Sequence, residues 1–382
     1  MRALGLSAMP GARSSLALFF LIGISLSSLG PLLPLFEQQS GAGPSSSYLV
    51  ISGYFGGSLL AMLALSRGRL AGSGAIRFAI VVYAVGCAGL FFSPDLRLSV
   101  LCACLSGFGA GLGSMNVNMA FARRRNGVAL VNLVNAVFAL GTVAGPLIAS
   151  LSLRAGAAHG LLAVAVIALV CFGAAATATW PDEVSERRDD AERSGVPRRA
   201  LTGFLLLYLC YGGVETGIGS WAAAHLVSQG NTAADAAVLV ACFWGATAVS
   251  KAATVVFTRR WSAPVLVVGG LVGAAGGLVL AAVPHAAVIG YLVTGLALGP
   301  VFPTGLAWIA QAGGGTRLSG AAVLASMTGS IVFPAVISRL VVTGYIAAVP
   351  LLIATIALGG AAAGAATRAA RTSRAVPPAD PH

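Results

Sequence analysis

The sequence is poor in charge. Only 9% of its 382 residues are Asp, Glu, Lys or Arg, against about 25% in a soluble domain. With 57% hydrophobic residues and a mean hydropathy of +0.90, the chain carries more apolar surface than a soluble core can hide. That excludes a water-soluble domain and leaves an integral membrane protein. Lysine is nearly missing: Lys251 is the sole example, so arginine carries almost all of the +12 net charge. Those arginines fall in short loops between apolar runs, with no basic face and no interleaved aromatics. The pattern excludes nucleic acid as a partner and reads as charge that sets membrane orientation.

Catalytic constellations are missing too. No apolar run pairs a nucleophile with a base, and no His/Cys/acid group has metal-ligand spacing. Cys102 and Cys104 project about 200° apart on a helix, which does not suit one metal ion. They and Cys87, Cys171, Cys210 and Cys242 all lie in apolar runs and read as small apolar side chains. His159, His225 and His285 lie scattered at the outer ends of runs and read as surface histidines, with a proton relay as the alternative for His225, three turns after Glu215. The glycines Gly107, Gly109, Gly111 and Gly113 sit inside an apolar run with no preceding strand, so they do not form a nucleotide loop. No catalytic residue, metal or cofactor is expected, and the chain does not read as an enzyme. No small-residue cleavage site follows Leu16–Leu26, and Gly30-Pro31-Leu32-Leu33-Pro34 continues the run. The segment reads as an uncleaved first span.

What is abundant is apolar sequence in lengths that cross about 30 Å of hydrocarbon. Twelve runs are expected, at 14–36, 46–65, 76–93, 97–121, 127–152, 158–180, 200–228, 235–258, 262–283, 285–311, 318–341 and 344–366. The expected fold is an all-α membrane protein with twelve transmembrane helices in two pseudo-symmetric six-helix bundles. The segment Pro181–Arg199 holds six of the eleven acids and divides the chain nearly in half. The expected organisation is an N-terminal bundle at 1–180, a cytoplasmic linker at 181–199, a C-terminal bundle at 200–366 and a cytoplasmic tail at 367–382. With the N-terminus cytoplasmic, 19 of the 23 basic residues fall on the cytoplasmic side. That bias places both termini inside and the protein in the cytoplasmic membrane.

The halves repeat at an offset of 188 or 189 residues. Gly23 and Gly30 fall on Gly212 and Gly219, and Phe55 and Gly57 on Phe243 and Gly245. Gly107 and Gly111 fall on Gly295 and Gly299, and Gly141 and Pro146 on Gly329 and Pro334. An offset without inversion of topology implies parallel repeats, with a binding site near the midplane between them.

Glu215 is the most informative single residue. It is the only charge in the apolar run Ala200–Val227 and lies near its middle. A carboxylate at that depth costs roughly 2.5–3.5 kcal/mol, so it needs a partner, a proton or a water-filled cavity. It reads as a proton carrier or substrate acceptor, or as a structural carboxylate paired with a base. Lys251 is either that base or a snorkelling side chain. Asn132 and Asn135 share one helix face, while Asn116 and Asn118 point different ways. Such amides bind polar solutes or join helices. Tyr211, one turn before Glu215, is expected in a cavity. Trp221, Trp244 and Trp308 are cavity aromatics or belt and packing residues. Gly107 and Gly111 suit close helix packing that slides during a transport cycle. Pro31, Pro34, Pro146, Pro300, Pro303 and Pro334 can bend spans.

Four stretches resemble the major facilitator superfamily, most closely its fucose-permease-like sugar:proton symporter branch. They are Gly107-Phe-Gly-Ala-Gly111-Leu-Gly-Ser-Met-Asn116-Val-Asn118, Asn132-Leu-Val-Asn135 with Phe138, Gly141, Gly145 and Pro146, Tyr211-Gly-Gly-Val-Glu215 with Trp221, and Gly299-Pro300-Val-Phe302-Pro303-Thr304. The resemblance implies a secondary transporter, monomeric, that moves a small solute across the lipid bilayer by alternating access. It implies Glu215 and Lys251 in proton coupling, and Asn116, Asn118, Asn132, Asn135, Tyr211, Trp221, Thr304 and Trp308 around the solute. Gly107, Gly111, Gly141, Gly145, Pro146, Gly299 and Pro303 would serve gating and packing. The pattern departs from the family in two places. The loop Leu65–Arg77 has no acid, and the first and fourth runs have no interior carboxylate. The stretch Gly141-x-x-x-Gly145-Pro146 also resembles the fifth-span motif of drug:proton antiporters, which keeps export open as the alternative.

Overall fold

A computed structural model describes residues 12–41, 43–67, 70–122, 124, 127–155 and 196–372. All regular structure among these residues is helical. The helices are α1 (Ala12–Ser40), α2 (Pro44–Ser66), α3 (Ser73–Phe92), α4 (Leu96–Ala122) and α5 (Gly127–Ala155), then α6 (Arg198–Ser228), α7 (Ala233–Phe257) and α8 (Ala263–Ala281). They continue as α9 (Ala287–Leu298), α10 (Val301–Gln311), α11 (Gly315–Val342) and α12 (Val349–Thr372). Among the described residues, 11 spans are long and apolar enough to cross a membrane. The expected sixth run, 158–180, and most of the linker lie outside the described residues.

The expected run 285–311 is one span, Ala287–Gln311, made of α9 and α10 with an interruption at Gly299-Pro300. Proline has no N–H to extend α9 and is tolerated at the first turn of a new helix. Pro31, Pro34, Pro146 and Pro334 are each carried inside a continuous helix instead. Hydroxyls and acids mark some helix starts. Thr232 Oγ1 accepts from the Asp235 N–H at 3.1 Å, which caps α7 and places a carboxylate in its first turn.

Two buried clusters organise the packing. One is built from α1–α5 and the other from α6–α12. The repeated glycines sit at equivalent crossings in each. A Cβ on Gly141 would lie 3.1 Å from Gly23 Cα, where α5 crosses α1. A Cβ on Gly329 would lie 3.2 Å from the Gly213 N, where α11 crosses α6. Likewise Gly107 packs on the Tyr54 backbone and Gly295 on that of Phe243, while Gly111 packs on Ser58 and Gly299 on Thr247. In these pairs the first residues are 188 apart and their partners 189 or 190 apart. Small residues let helix backbones approach where lipid gives no hydrophobic drive to association.

The two clusters meet chiefly through α5 against α7 and α2 against α11. Among the described residues one ion pair joins them. Arg154 Nη2 at the end of α5 lies 2.5 Å from Asp235 Oδ1 at the start of α7.

Candidate site at the junction of the two helix groups

Glu215 lies midway along α6. One turn earlier on the same face, the buried Tyr211 hydroxyl donates to Glu215 Oε1 at 2.9 Å. Tyr211 is held by Phe302 of α10, with ring centroids 5.5 Å apart. Tyr208 braces the same residue by donating to the Phe302 carbonyl at 2.8 Å. The helix interruption between α9 and α10 presents Phe302 to the tyrosines that position the carboxylate. Among the described residues, no cation pairs with Glu215.

A cavity of about 70 Å³ opens beside Glu215. Leu26 and Gly30 of α1, Ile51 and Phe55 of α2 and Phe138 of α5 form one side. Glu215, Thr216, Gly219 and Ser220 of α6 and Trp244 of α7 form the other. The volume leaves room for solvent or a small polar group beside the carboxylate. α1 and α6 approach closely there.

Gly30 and Gly219 place the cavity on the molecule's internal symmetry. They are repeat equivalents, 189 residues apart, and they touch each other. A Cβ on Gly30 would run into the Gly219 carbonyl and lie 3.1 Å from Ser220 Cα. A residue that contacts its own equivalent lies on the pseudo-twofold axis, so the cavity sits where the two repeats face one another.

The other expected site residues are dispersed. Asn116 is corrected: its Oδ1 accepts from the Gly72 N–H at 3.1 Å, and its Nδ2 donates to the carbonyls of Leu70 at 3.2 Å and Leu112 at 2.9 Å. The amide is spent on holding the α2–α3 loop and does not face the cavity. Asn118 is half-buried, and its Oδ1 is buried without a partner. Asn132 and Asn135 are exposed on α5. Asn135 donates to the Val131 carbonyl at 2.8 Å and lies one turn from Phe138 on the cavity's edge.

Trp308 is corrected too. It packs edge-on against Phe204, with centroids 4.9 Å apart, inside the second cluster. Trp221 is buried in that cluster with its Nε1 unpartnered, as is the Thr304 Oγ1. Neither lines the cavity. Lys251 makes no ion pair with Glu215; its backbone N faces Gly299, 2.7 Å from where a Cβ there would sit. Gly107, Gly111, Gly141, Gly145 and Gly299 lie at helix crossings; Pro146 is buried within α5 and Pro303 is exposed within α10. His225 is corrected from a surface residue to a fully buried one. Its Nδ1 is 3.1 Å from Tyr291 Oη and its Nε2 is 3.2 Å from Gln229 Nε2.

The sequence reading missed Leu26, Ile51, Thr216, Gly219 and Ser220 as cavity residues. A usable signal was present: Gly219 and Ser220 follow Glu215 by four and five positions, and Gly219 is the repeat partner of Gly30.

A family model described as Major Facilitator Superfamily matches residues 15–336. No curated protein matches the sequence. Among solved structures, the E. coli fucose:proton symporter FucP is similar at TM-score 0.61 and 16% identity, over 93% of this chain and 97% of that one. A D-xylose-proton symporter is similar at TM-score 0.75 and 14% identity, over 92% and 95%. The nucleoside transporter NupG is similar at TM-score 0.73 and 13% identity, over 93% and 99%.

Proposed function

The chain belongs to the Major Facilitator Superfamily, and on that premise we propose that it is a proton-coupled transporter of a sugar or related small polar solute. The observation that carries this reading is the position of Glu215. Among the described residues it is the one carboxylate at mid-span, it lines the cavity where the two repeats face one another, and it has a hydroxyl donor but no cation. Ionised, it holds an uncompensated charge in a site walled by Leu26, Ile51, Phe55, Phe138 and Trp244. A proton removes that charge, so protonation changes the cost of closing the helices around the site. Solute would enter as the two groups of helices rock apart at one end, and leave as they part at the other.

The bundles in this reading are 1–180 and 200–366, joined by a cytoplasmic linker at 181–199 and followed by a cytoplasmic tail. The arginine bias puts the Arg154–Asp235 end outside and both termini inside the cytoplasmic membrane. The Arg154–Asp235 pair across the outer end and the exposed Asn132 and Asn135 suit a path that opens toward the cytoplasm.

A second reading, export of drugs or natural products by proton antiport, is favoured by the lining itself. Its side chains are aliphatic and aromatic apart from Glu215, Thr216 and Ser220, and no amide is among them. The test is uptake and efflux of a solute panel in proteoliposomes with an imposed pH gradient. Gradient-driven accumulation of a pentose, hexose or nucleoside supports the first reading. Gradient-driven extrusion of lipophilic cations without sugar uptake supports the second.

A further inference from the structure

Lys251 is the one lysine of the chain, and its role is unassigned. It lies inside α7, and among the described residues no carboxylate is within ion-pair distance of it. A lysine in a span can snorkel along lipid to the interface, but this one is on the wrong side of its helix. The exposed Val249 and Val256 mark the lipid-facing side of α7. At 3.6 residues per turn, Lys251 points roughly 140–160° away from both. It follows Trp244 by seven residues, two turns, and Trp244 lines the cavity beside Glu215. Lys251 therefore shares the face that α7 turns to the other group of helices, toward the end opposite the Arg154–Asp235 pair.

The gap between α5 and α7 widens toward that end. Along this face of α7 exposure rises from 7% at Trp244 to 65% at Val255, three turns on, with Lys251 partly buried between them. On α5, Phe138 of the cavity wall is partly buried, while Asn135 and Asn132, farther toward the same end, are exposed. The Lys251 ammonium is not among the sealed polar atoms, as the Trp244 Nε1 is, so solvent reaches it. The two helices run antiparallel and can be stepped off from the cavity together. At 1.5 Å per residue, Asn135 and Asn132 lie about 4.5 and 9 Å beyond Phe138, and Lys251 about 10.5 Å beyond Trp244. The ammonium and the two amides thus fall at nearly one level of the gap. Asn135 donates one amide N–H to the Val131 carbonyl at 2.8 Å and has a second N–H to offer.

Resting on the transporter reading, we infer that Lys251, with Asn135 and Asn132 across the gap, forms an anion site on the solute path, outside the Glu215 cavity, and that the solute carries one carboxylate. An ammonium and neutral amides supply a single positive charge and several N–H donors, which one carboxylate matches. A phosphate monoester, at about −1.5 to −2 near neutral pH, leaves charge uncompensated there. A neutral sugar leaves the ammonium unpaired, and a lipophilic cation meets it as a like charge. Selection comes from this repulsion as much as from the new pair.

The experiment uses the full chain in proteoliposomes with an imposed pH gradient and two radiolabelled pairs, D-glucose with D-glucuronate and D-galactose with D-galacturonate. Each pair differs only in a hydroxymethyl group replaced by a carboxylate. In the parent, at least one uronate is expected to half-saturate uptake at a concentration about tenfold below that of its neutral congener, the size of one hydrogen bond to a charged group in a hydrated site. Lys251→Gln removes the charge and is expected to erase that preference, while Lys251→Arg keeps the charge and is expected to retain it. Asn135→Leu is expected to weaken the preference by a smaller factor, so the inference does not hang on one variant's folding. The readout is a ratio within each variant, so a general loss of activity does not imitate the effect. Uptake of a neutral sugar by the parent with no preference for its uronate overturns the inference and leaves the transporter reading intact, as does a preference that survives in Lys251→Gln. Absence of uptake of all four solutes by the parent overturns the sugar reading and this inference with it.

Discussion

Replacing Gly30 by Ala separates the forces that hold each bundle from those that set the balance between conformations. The Ala Cβ would run into the Gly219 carbonyl and lie 3.0 Å from the Gly219 carbonyl carbon and 3.1 Å from Ser220 Cα. All of these are backbone atoms, which cannot rotate away. Unstrained carbon contacts need about 3.5–4.0 Å, and the clash with the Gly219 carbonyl oxygen is closer still, so α1 and α6 must part by about an ångström or more at this point. Overpacking of this kind costs about 1–3 kcal/mol. Here most of that cost falls on one conformation, because α1 and α6 belong to different groups of helices and can separate without unfolding either. A differential of that size changes a two-state ratio about 5- to 150-fold. The assay is the distance between spin labels at Gln38 and Ser228, the exposed ends of α1 and α6, in a background with the native cysteines replaced. The variant is expected to move population from a short to a longer distance. Gly141→Ala is the control: its Cβ meets Phe20 and Gly23 of α1 within one group, so it is expected to lower the melting temperature and leave the label distance in place. An unchanged distance distribution in Gly30→Ala, or the same shift in Gly141→Ala, would refute the reasoning.

The Arg154–Asp235 ion pair should act through the same equilibrium. Arg154→Asp is expected to shift the Gln38–Ser228 distance upward by a modest population, since both side chains are more than half exposed and such pairs contribute about 0.2–1 kcal/mol. The added charge swap Arg154→Asp with Asp235→Arg should restore the parent distribution. Asn116→Leu strands the Gly72 N–H and the Leu70 carbonyl. It is expected to destabilise the α2–α3 connection by about 1–3 kcal/mol, read as faster amide hydrogen exchange at Leu70–Ser73 without a change at Glu215.

Much of the fold is legible because lipid imposes a simple rule on the sequence. Runs of apolar residues mark the helices, and the described ends fall within a few residues of the expected ones, as for Arg198–Ser228 against 200–228. The glycine repeat is equally readable, since Gly141 on Gly23 and Gly329 on Gly213 mark corresponding crossings. The α9/α10 break is foreshadowed by Gly299-Pro300, but a hydropathy pattern does not distinguish a broken span from a bent one. The site is less legible. Glu215 stands out because charge in an apolar run is costly, and Tyr211 follows from helical spacing. The roles of Asn116, Trp308 and His225 depend on which distant residue arrives beside them. Leu70, Phe204 and Tyr291 do so through tertiary packing, which no local pattern records. Lys251 misleads for a related reason: depth along the membrane normal says nothing about which way a helix face turns.

The central claim is that Glu215 couples proton movement to solute movement. It is tested most directly by Glu215→Gln in proteoliposomes, comparing accumulation driven by a pH gradient with gradient-independent exchange of labelled for unlabelled solute. The account predicts that gradient-driven accumulation is lost while exchange persists, because the amide keeps an acceptor for Tyr211 but no longer takes or gives up a proton. Accumulation by the variant equal to that of the parent, with the same dependence on the gradient, would contradict it.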